Sequence, residues 1–281
     1  TVVAIGAPKN DGNGDTSGHV RIYQYDGGSW TQLGGDIDGE EGGSGSFTGD
    51  YSGTSVSLNS DGTIVAIGAP YNDGGGFVSG HVRIYQRDIT NTTVQPLGWT
   101  RLGDDIDGET SGDNSGSSVS LSSDGYTVAI GANKNDGGGT NRGHVRIYQY
   151  DGSSWFKLGD DIDGETSNNE SGWSVSLNND GTTVAIGAPY NSGNGYRSGH
   201  VRVYKLFSHN EQHPLEFYTT NSKSGVAEGV TYGTLETRYV VPTTMLNPVF
   251  MRCNTTHATY APAPDWNEGQ DYNNSGSGIT V

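Results

Sequence analysis

Residues 115–132 read SGSSVSLSSDGYTVAIGA. Two apolar runs, 119–121 and 128–132, flank Asp124 and Gly125. An Asp-Gly pair between such runs is the sequence form of a tight hairpin turn, because glycine takes positive φ without steric cost. The first run alternates apolar residues with serine, as a strand does. The second is apolar on both faces but small, which suits a strand held closely between two neighbouring sheets.

The same hairpin recurs along the chain. Val-Ala-Ile-Gly-Ala begins at Val3, Val65, Val128 and Val184, 56 to 63 residues apart. Gly-His-Val-Arg-Ile/Val-Tyr follows each time, from Gly18, Gly80, Gly143 and Gly199. A third element, an aromatic residue leading into Leu-Gly-x-Asp-Ile-Asp-Gly-Glu, starts at Trp30, Trp99 and Trp155. Ser-Gly-x-Ser-Val-Ser-Leu-x-x-Asp-Gly starts at Ser52, Ser115 and Ser171. Four strand candidates per repeat of this length predict an all-β chain, a β-propeller of four-stranded antiparallel blades. The blades are expected over 1–40 (partial), 52–109, 115–165 and 171–206. Residues 207–272 break the pattern and read as a divergent β segment or partial blade. Residues 273–281 return to it, lining up with 113–121 as the first strand of a blade. Pairing of that strand with 2–5 would complete the N-terminal blade and close the ring; the alternative is a piece of a longer repeat array.

These elements resemble the FG-GAP repeats of integrin α-subunit propellers and of many secreted proteins. Ser115-Gly116, the 119–121 run, Asp124-Gly125 and 128–132 are similar to the family's Phe-Gly…Gly-Ala-Pro core, with Ser-Gly in place of Phe-Gly. Gly-Ala-Pro stands at 6–8, 68–70 and 187–189, and Asn133 replaces the proline in the third copy. The resemblance covers about 1–206 and implies binding or adhesion more often than catalysis. The family's calcium loop lies between the first and second strands. Here that connection is a short Asp-Gly turn, so the family's metal site is not carried over to it.

Composition narrows the function. Of 281 residues 46 are glycine and only nine proline, without the every-third-residue glycine of collagen. Sixteen tyrosines and five tryptophans, with patterned Val and Ile, argue for a packed core rather than disorder. A net charge of −17 opposes phosphate backbones, so no nucleic-acid partner is expected. No apolar run approaches the roughly 20 residues of a membrane span, so no membrane insertion is expected. The opening run 1–7 reads as a strand and not as a signal peptide, so the numbering is expected to begin inside a larger or processed protein. The single cysteine, Cys253, has no disulfide partner.

The acidic loops carry the strongest chemical signal. Asp36, Asp38 and Glu40, Asp105, Asp107 and Glu109, and Asp161, Asp163 and Glu165 place carboxylates at alternate positions around a glycine. With Asp11, Asn13 and Asp15 they should share one end of the blades, as candidate calcium ligands. The alternative is that Asp and Asn before glycine cap turns through their own side chains. Trp30, Trp99 and Trp155 would stack on glycans if exposed; otherwise they are core. The recurring His19, His81, His144 and His200, the arginines at 21, 83, 146 and 202, and the tyrosines at 23, 85, 148 and 204 read as packing and bonding between blades. In His209-Asn210-Glu211-Gln212-His213 the glutamate is displaced from the metalloprotease spacing, and Pro214 opposes the helix that spacing needs. Asn91, Asn169, Asn254 and Asn273 fit the glycosylation pattern without establishing secretion.

The expected function is therefore a non-catalytic extracellular or particle-surface propeller for binding or adhesion to a protein or glycan, with calcium as a candidate ion. The alternative is a structural coat, appendage or virion-surface component contacting copies of itself. A hydrolase or lyase on the same scaffold is the third reading, and no acid–base pair in the sequence supports it.

Overall fold

The computed structural model describes residues 1–206 other than 41, 43–48 and 94. The expectations for 207–272, for 273–281 and for ring closure lie outside the described residues, as do Cys253, His209, His213, Asn254 and Asn273. Among the described residues every regular element is a strand, and no helix is long and apolar enough to cross a membrane.

Four antiparallel sheets follow one another along the chain. The first holds β1 (Val2–Ala7), β2 (His19–Tyr25), β3 (Trp30–Gln32) and β4 (Ile37–Asp38). In the second, β5 (Ser55–Leu58), β6 (Ile64–Ala69), β7 (His81–Arg87) and β8 (Trp99–Arg101) lie in order, and β9 (Ile106–Asp107) also pairs with β7. The third repeats this with β10 (Ser115–Leu121), β11 (Thr127–Ala132), β12 (His144–Tyr150), β13 (Trp155–Lys157) and β14 (Ile162–Asp163). The fourth comprises β15 (Ser174–Leu177), β16 (Thr183–Ala188) and β17 (His200–Lys205). These are propeller blades, and they depart from the sequence reading in two ways. The outer strand is broken into two short pieces on one partner, because the glycine after each leucine, Gly34, Gly103 and Gly159, takes positive φ. The Asp-Gly turns are also longer than two residues. Asn59 N–H donates to Ile64 O at 3.0 Å across a four-residue loop. Within it Gly62 has φ 74°, and the Asp61 carboxylate accepts the Thr63 N–H at 3.0 Å.

Blades pack face to face. Val20, Ile22, Leu33 and Ile37 of the first blade meet Val65, Ile67, Tyr85 and Trp99 of the second. Ile64, Ala66, Val82, Ile84, Leu102 and Ile106 then face Val119, Leu121, Val128 and Ile130 of the third. Alternate residues of β6 thus serve opposite neighbours, which is why Val-Ala-Ile-Gly-Ala is apolar on both sides. The serines of the first strands stitch adjacent blades. Ser55 Oγ donates to Gly116 O at 2.8 Å and Ser118 Oγ to Gly172 O at 2.7 Å. Leu121 N–H donates to Ser57 Oγ and Leu177 N–H to Ser120 Oγ, each at 2.9 Å. Alternation of serine with Val and Leu therefore supplies hydrogen bonds at the junction as well as apolar area.

Candidate functional site

Loops joining the second strand to the third, and those leading from the outer strand into the next blade, share one end of the sheets. Gly39 N–H donates to Gly18 O, Gly108 N–H to Gly80 O and Gly164 N–H to Gly143 O, at 2.7–2.9 Å. All the acidic residues singled out in the sequence gather at this loop end, but their partners differ from those expected.

Asp11 caps its own loop by accepting the Thr16 N–H at 2.9 Å. Asp73 and Asp136 do the same for Val78 and Asn141, and Ser192 Oγ does it for Arg197. Each recipient has positive φ, between 45° and 55°, so the capping group holds a non-glycine residue in the left-handed region. Asn13 turns its amide donor to Gly39 O and Glu40 O at 2.7 and 3.1 Å, and Asp15 is exposed. Asp11 and Asn13 thus turn to separate partners of the protein.

The Asp-x-Asp-x-Glu loops are drawn to cations of the protein itself. Arg21 grips Asp36 with two hydrogen bonds, 2.9 and 2.7 Å, and Gln32 adds a third. That arginine holds the Asp36 carboxyl below the usual carboxylate range, whereas burial, with the charge of Asp36 added, pushes Asp38 up. In the second blade Arg83 makes the same fork on Asp105 and also contacts Glu40 of the preceding blade. Arg101 reaches Asp105 at 2.9 Å. In the third, Arg146 lies 3.3 Å from Glu109 and takes Asp107 O, while Lys157 holds Asp161 at 2.8 Å. Arg202 pairs with Glu165 and takes Asp163 O. The first aspartate of each loop therefore serves its own blade, and the glutamate reaches the arginine of the next.

Three groups bring a histidine and two carboxylates within 4.8 Å: His19, Asp36 and Asp38; Glu40, His81 and Asp105; Glu109, His144 and Asp161. Calcium prefers oxygens alone, and each group already has a guanidinium or ammonium on a carboxylate. The residues present fit an internal cation better than a bound hard ion.

Burial pushes the imidazoles of His81 and His144 below their ordinary value, for His144 with the Arg146 charge acting the same way. The unfolded chain then takes up these protons first as pH falls. The stability conferred is complete above the unfolded value of about 6.5 and is lost below it. Urea unfolding is expected to show stability decreasing from pH 7 to 5.5, by at most about 1.4 kcal/mol per pH unit per histidine. His144→Gln should flatten that slope; an unaltered slope would place the titration elsewhere.

The tryptophans divide by blade. Trp99 is 1% exposed and its indole N–H donates to Leu33 O at 2.8 Å, so glycan stacking is excluded for it by burial between blades. Trp155, half-buried, makes the same bond to Leu102 O at 2.7 Å. Trp30, at the same blade position, is 51% exposed and packs on Tyr25. Of the glycosylation acceptors, Asn169 is buried, and Asn91 donates its amide to Pro96 O and Trp99 O.

Sequence reasoning missed a set of aromatics on the loop end, of which Tyr71, Trp173 and Tyr196 are exposed. Tyr51 and Tyr71 meet at 4.8 Å, and Trp173 meets Tyr190 at 5.9 Å. Arg197 lies over the rings of Tyr190 and Tyr196. The signal was in the repeat itself: Trp173 stands where the other blades have Thr54 and Ser117, and Tyr71 and Tyr190 where they have Lys9 and Lys134. Bulk that some blades do without is not required by the blade.

Residues 162–204 match the FG-GAP repeat. No curated protein matches the chain in sequence. Among solved structures it is similar to the periplasmic gluconolactonase PpgL of Pseudomonas aeruginosa, with 14% identity and a TM-score of 0.42 over 73% of this chain and 49% of that one. It is also similar to Kuenenia stuttgartiensis hydrazine synthase (15%, TM-score 0.41, 73% and 55%) and to a putative TolB from Agrobacterium tumefaciens (14%, 0.38, 73% and 57%). The chain spans between 49% and 57% of the length of these proteins. An FG-GAP repeat thus lies at 162–204, and the sequence elements of that segment recur through the preceding sheets, which pack face to face as β-propeller blades.

Proposed function

We propose that this propeller is a non-catalytic binding and adhesion module of an extracellular or particle surface, and that it engages its target with the loop end of its blades. The observation that carries this reading is the exposure of Tyr71, Trp173 and Tyr196 there, at positions where the third blade has Lys134, Ser117 and Thr140. Large aromatics held open on rigidly spaced loops favour recognition. The recurring carboxylates at that end, candidate calcium ligands in the sequence, are engaged by arginine and lysine. The test uses beads coated with the chain, washed over arrays of matrix proteins and glycans. Wild-type beads should be retained on at least one surface, and Tyr71→Ala with Trp173→Ala should lower retention at least tenfold with the melting temperature unchanged. Retention nowhere, or equal retention of the variant, would overturn the reading.

A second reading, assembly with copies of the chain, has its own support. Ile5 and Trp30 on the first blade and Val201 and Val203 on the fourth are exposed, although their counterparts Ile67, Trp99, Val145 and Ile147 are buried at blade junctions. A first blade of one copy seated on the fourth of another would reproduce a junction already used within the chain. Light scattering of wild type and Val203→Glu tests it: a concentration-dependent oligomer lost in the variant favours assembly, and a monomer throughout removes it.

A further inference from the structure

We propose that the loop end of the fourth blade is a saccharide site, with Trp173 and Tyr190 as walls and Arg197, steadied by Tyr196, as its polar edge. The proposal rests on the loop-end reading above and names the ligand class for it.

Trp173 directly precedes β15 and Tyr190 follows β16 by two residues, so the hairpin pairing of Ser174 with Gly187 brings the two side chains to one edge of the sheet. Their rings stand at 85° with centroids 5.9 Å apart. Two rings so placed form a corner, one a floor and the other a wall. The Arg197 guanidinium lies 4.9 Å over Tyr190 and 5.4 Å over Tyr196, completing a continuous surface. Trp173 is 49% exposed and Tyr196 86%. Thr54, at the place of Trp173 in the second blade, is likewise exposed.

The polar edges of this corner select the class of ligand. Trp99 and Trp155 spend their indole N–H on a carbonyl of the preceding blade, but Trp173 has no protein acceptor among the described residues. Arg197 likewise has no carboxylate partner among the described residues, in contrast to Arg21, Arg83, Arg146 and Arg202. A guanidinium stacked by its face keeps its edge N–H groups for a ligand, in a fork that matches a carboxylate. A ligand that fits offers a flat apolar face to an aromatic ring and a rim of hydroxyl acceptors to these donors. A pyranose with equatorial substituents does both, and a uronate unit adds the carboxylate that Arg197 can fork.

The experiment titrates the full chain with cellohexaose and with a β-1,4-linked glucuronate hexamer, followed by calorimetry and tryptophan fluorescence. Both sugars are expected to bind, the uronate more tightly. Trp173→Ala should weaken both at least tenfold, and Arg197→Gln should weaken both and remove the uronate preference. Melting temperatures within 2 °C of wild type, roughly what 1 kcal/mol produces in a domain of this size, would show that the variants fold. Failure of either sugar to bind at millimolar concentration, or binding indifferent to Trp173→Ala, overturns the saccharide site. If the double variant still abolishes bead retention on a protein surface, the saccharide assignment falls and the loop-end reading stands. If retention is also indifferent, both fall.

Discussion

Gly131→Ala is expected to destabilise the chain by about 3 kcal/mol or more, lowering its melting temperature by about 10 °C. Gly131 lies in β11, and its Cα faces the carbonyl of Gly172, which opens the fourth blade. A Cβ there would sit far inside the 3.0 Å that real Cβ atoms keep from such an oxygen. The oxygen cannot swing away cheaply. Gly172 N–H is bonded to Gly187 O, and Gly172 itself has φ 83° with the His144 carbonyl close behind it. Relief would require two blades to separate along the stitched first strands, loosening the bond from Ser118 Oγ to Gly172 O as well. Gly68 against Gly116 and Gly6 against Gly53 repeat the geometry, so the approach of backbones is a property of every described junction. Gly152→Ala is the control. Gly152 also has positive φ, 102°, but nothing lies within 4 Å of a Cβ there, so only left-handed strain is incurred, about 1–2 kcal/mol. Guanidinium unfolding of the two variants separates the effects, and equal losses would mean that close approach contributes nothing beyond backbone strain.

That glycine shows how much of the fold was legible. Val-Ala-Ile-Gly-Ala announces a strand buried on both faces and small enough for close neighbours, and the structure supplies what comes close. The repeat also gave the strand order and the common end of the loops. Three things were not legible, each for a physical reason. The outer strand was read as continuous although Gly34, Gly103 and Gly159 mark the break; a glycine in a strand can be a bulge, a bend or an interruption, and only the path of the chain decides. The Asp-x-Asp-x-Glu loops looked like cation sites because spacing reports which oxygens are neighbours in the chain. It cannot report which cation folds onto them, and Arg83 reaches Glu40 from the following blade. The arginine recurring beside each histidine was the available clue. The corner of Trp173 and Tyr190 needed the register of the β15–β16 hairpin to bring together two residues that the sequence separates.

Trp99→Ala carries the other large expected effect, and comparison with Trp30→Ala locates its origin. Both residues begin the third sequence element of their repeats, so propensity and strand position are the same. Their surroundings are not. Trp99 packs between the first and second blades against Val20, Ile22, Leu33 and Ile37, while Trp30 has no blade against it among the described residues and stays half exposed. Truncating Trp99 removes the largest fully buried side chain of the described residues and leaves a cavity at a junction, a loss of about 3–5 kcal/mol. Trp99→Phe keeps most of the volume and gives up the indole N–H bond to Leu33 O, leaving a buried carbonyl short of a donor, about 1–2 kcal/mol. Trp30→Ala should cost less than about 1 kcal/mol, as surface substitutions do. Urea unfolding with tryptophan fluorescence should therefore rank the variants Trp99→Ala, Trp99→Phe, Trp30→Ala in descending loss. If Trp30→Ala instead matched Trp99→Ala, the stabilising work of this tryptophan would lie within its own blade. The junction would then be held chiefly by the serine stitches and the arginine-carboxylate contacts, and aromatic packing between blades would be incidental to the array.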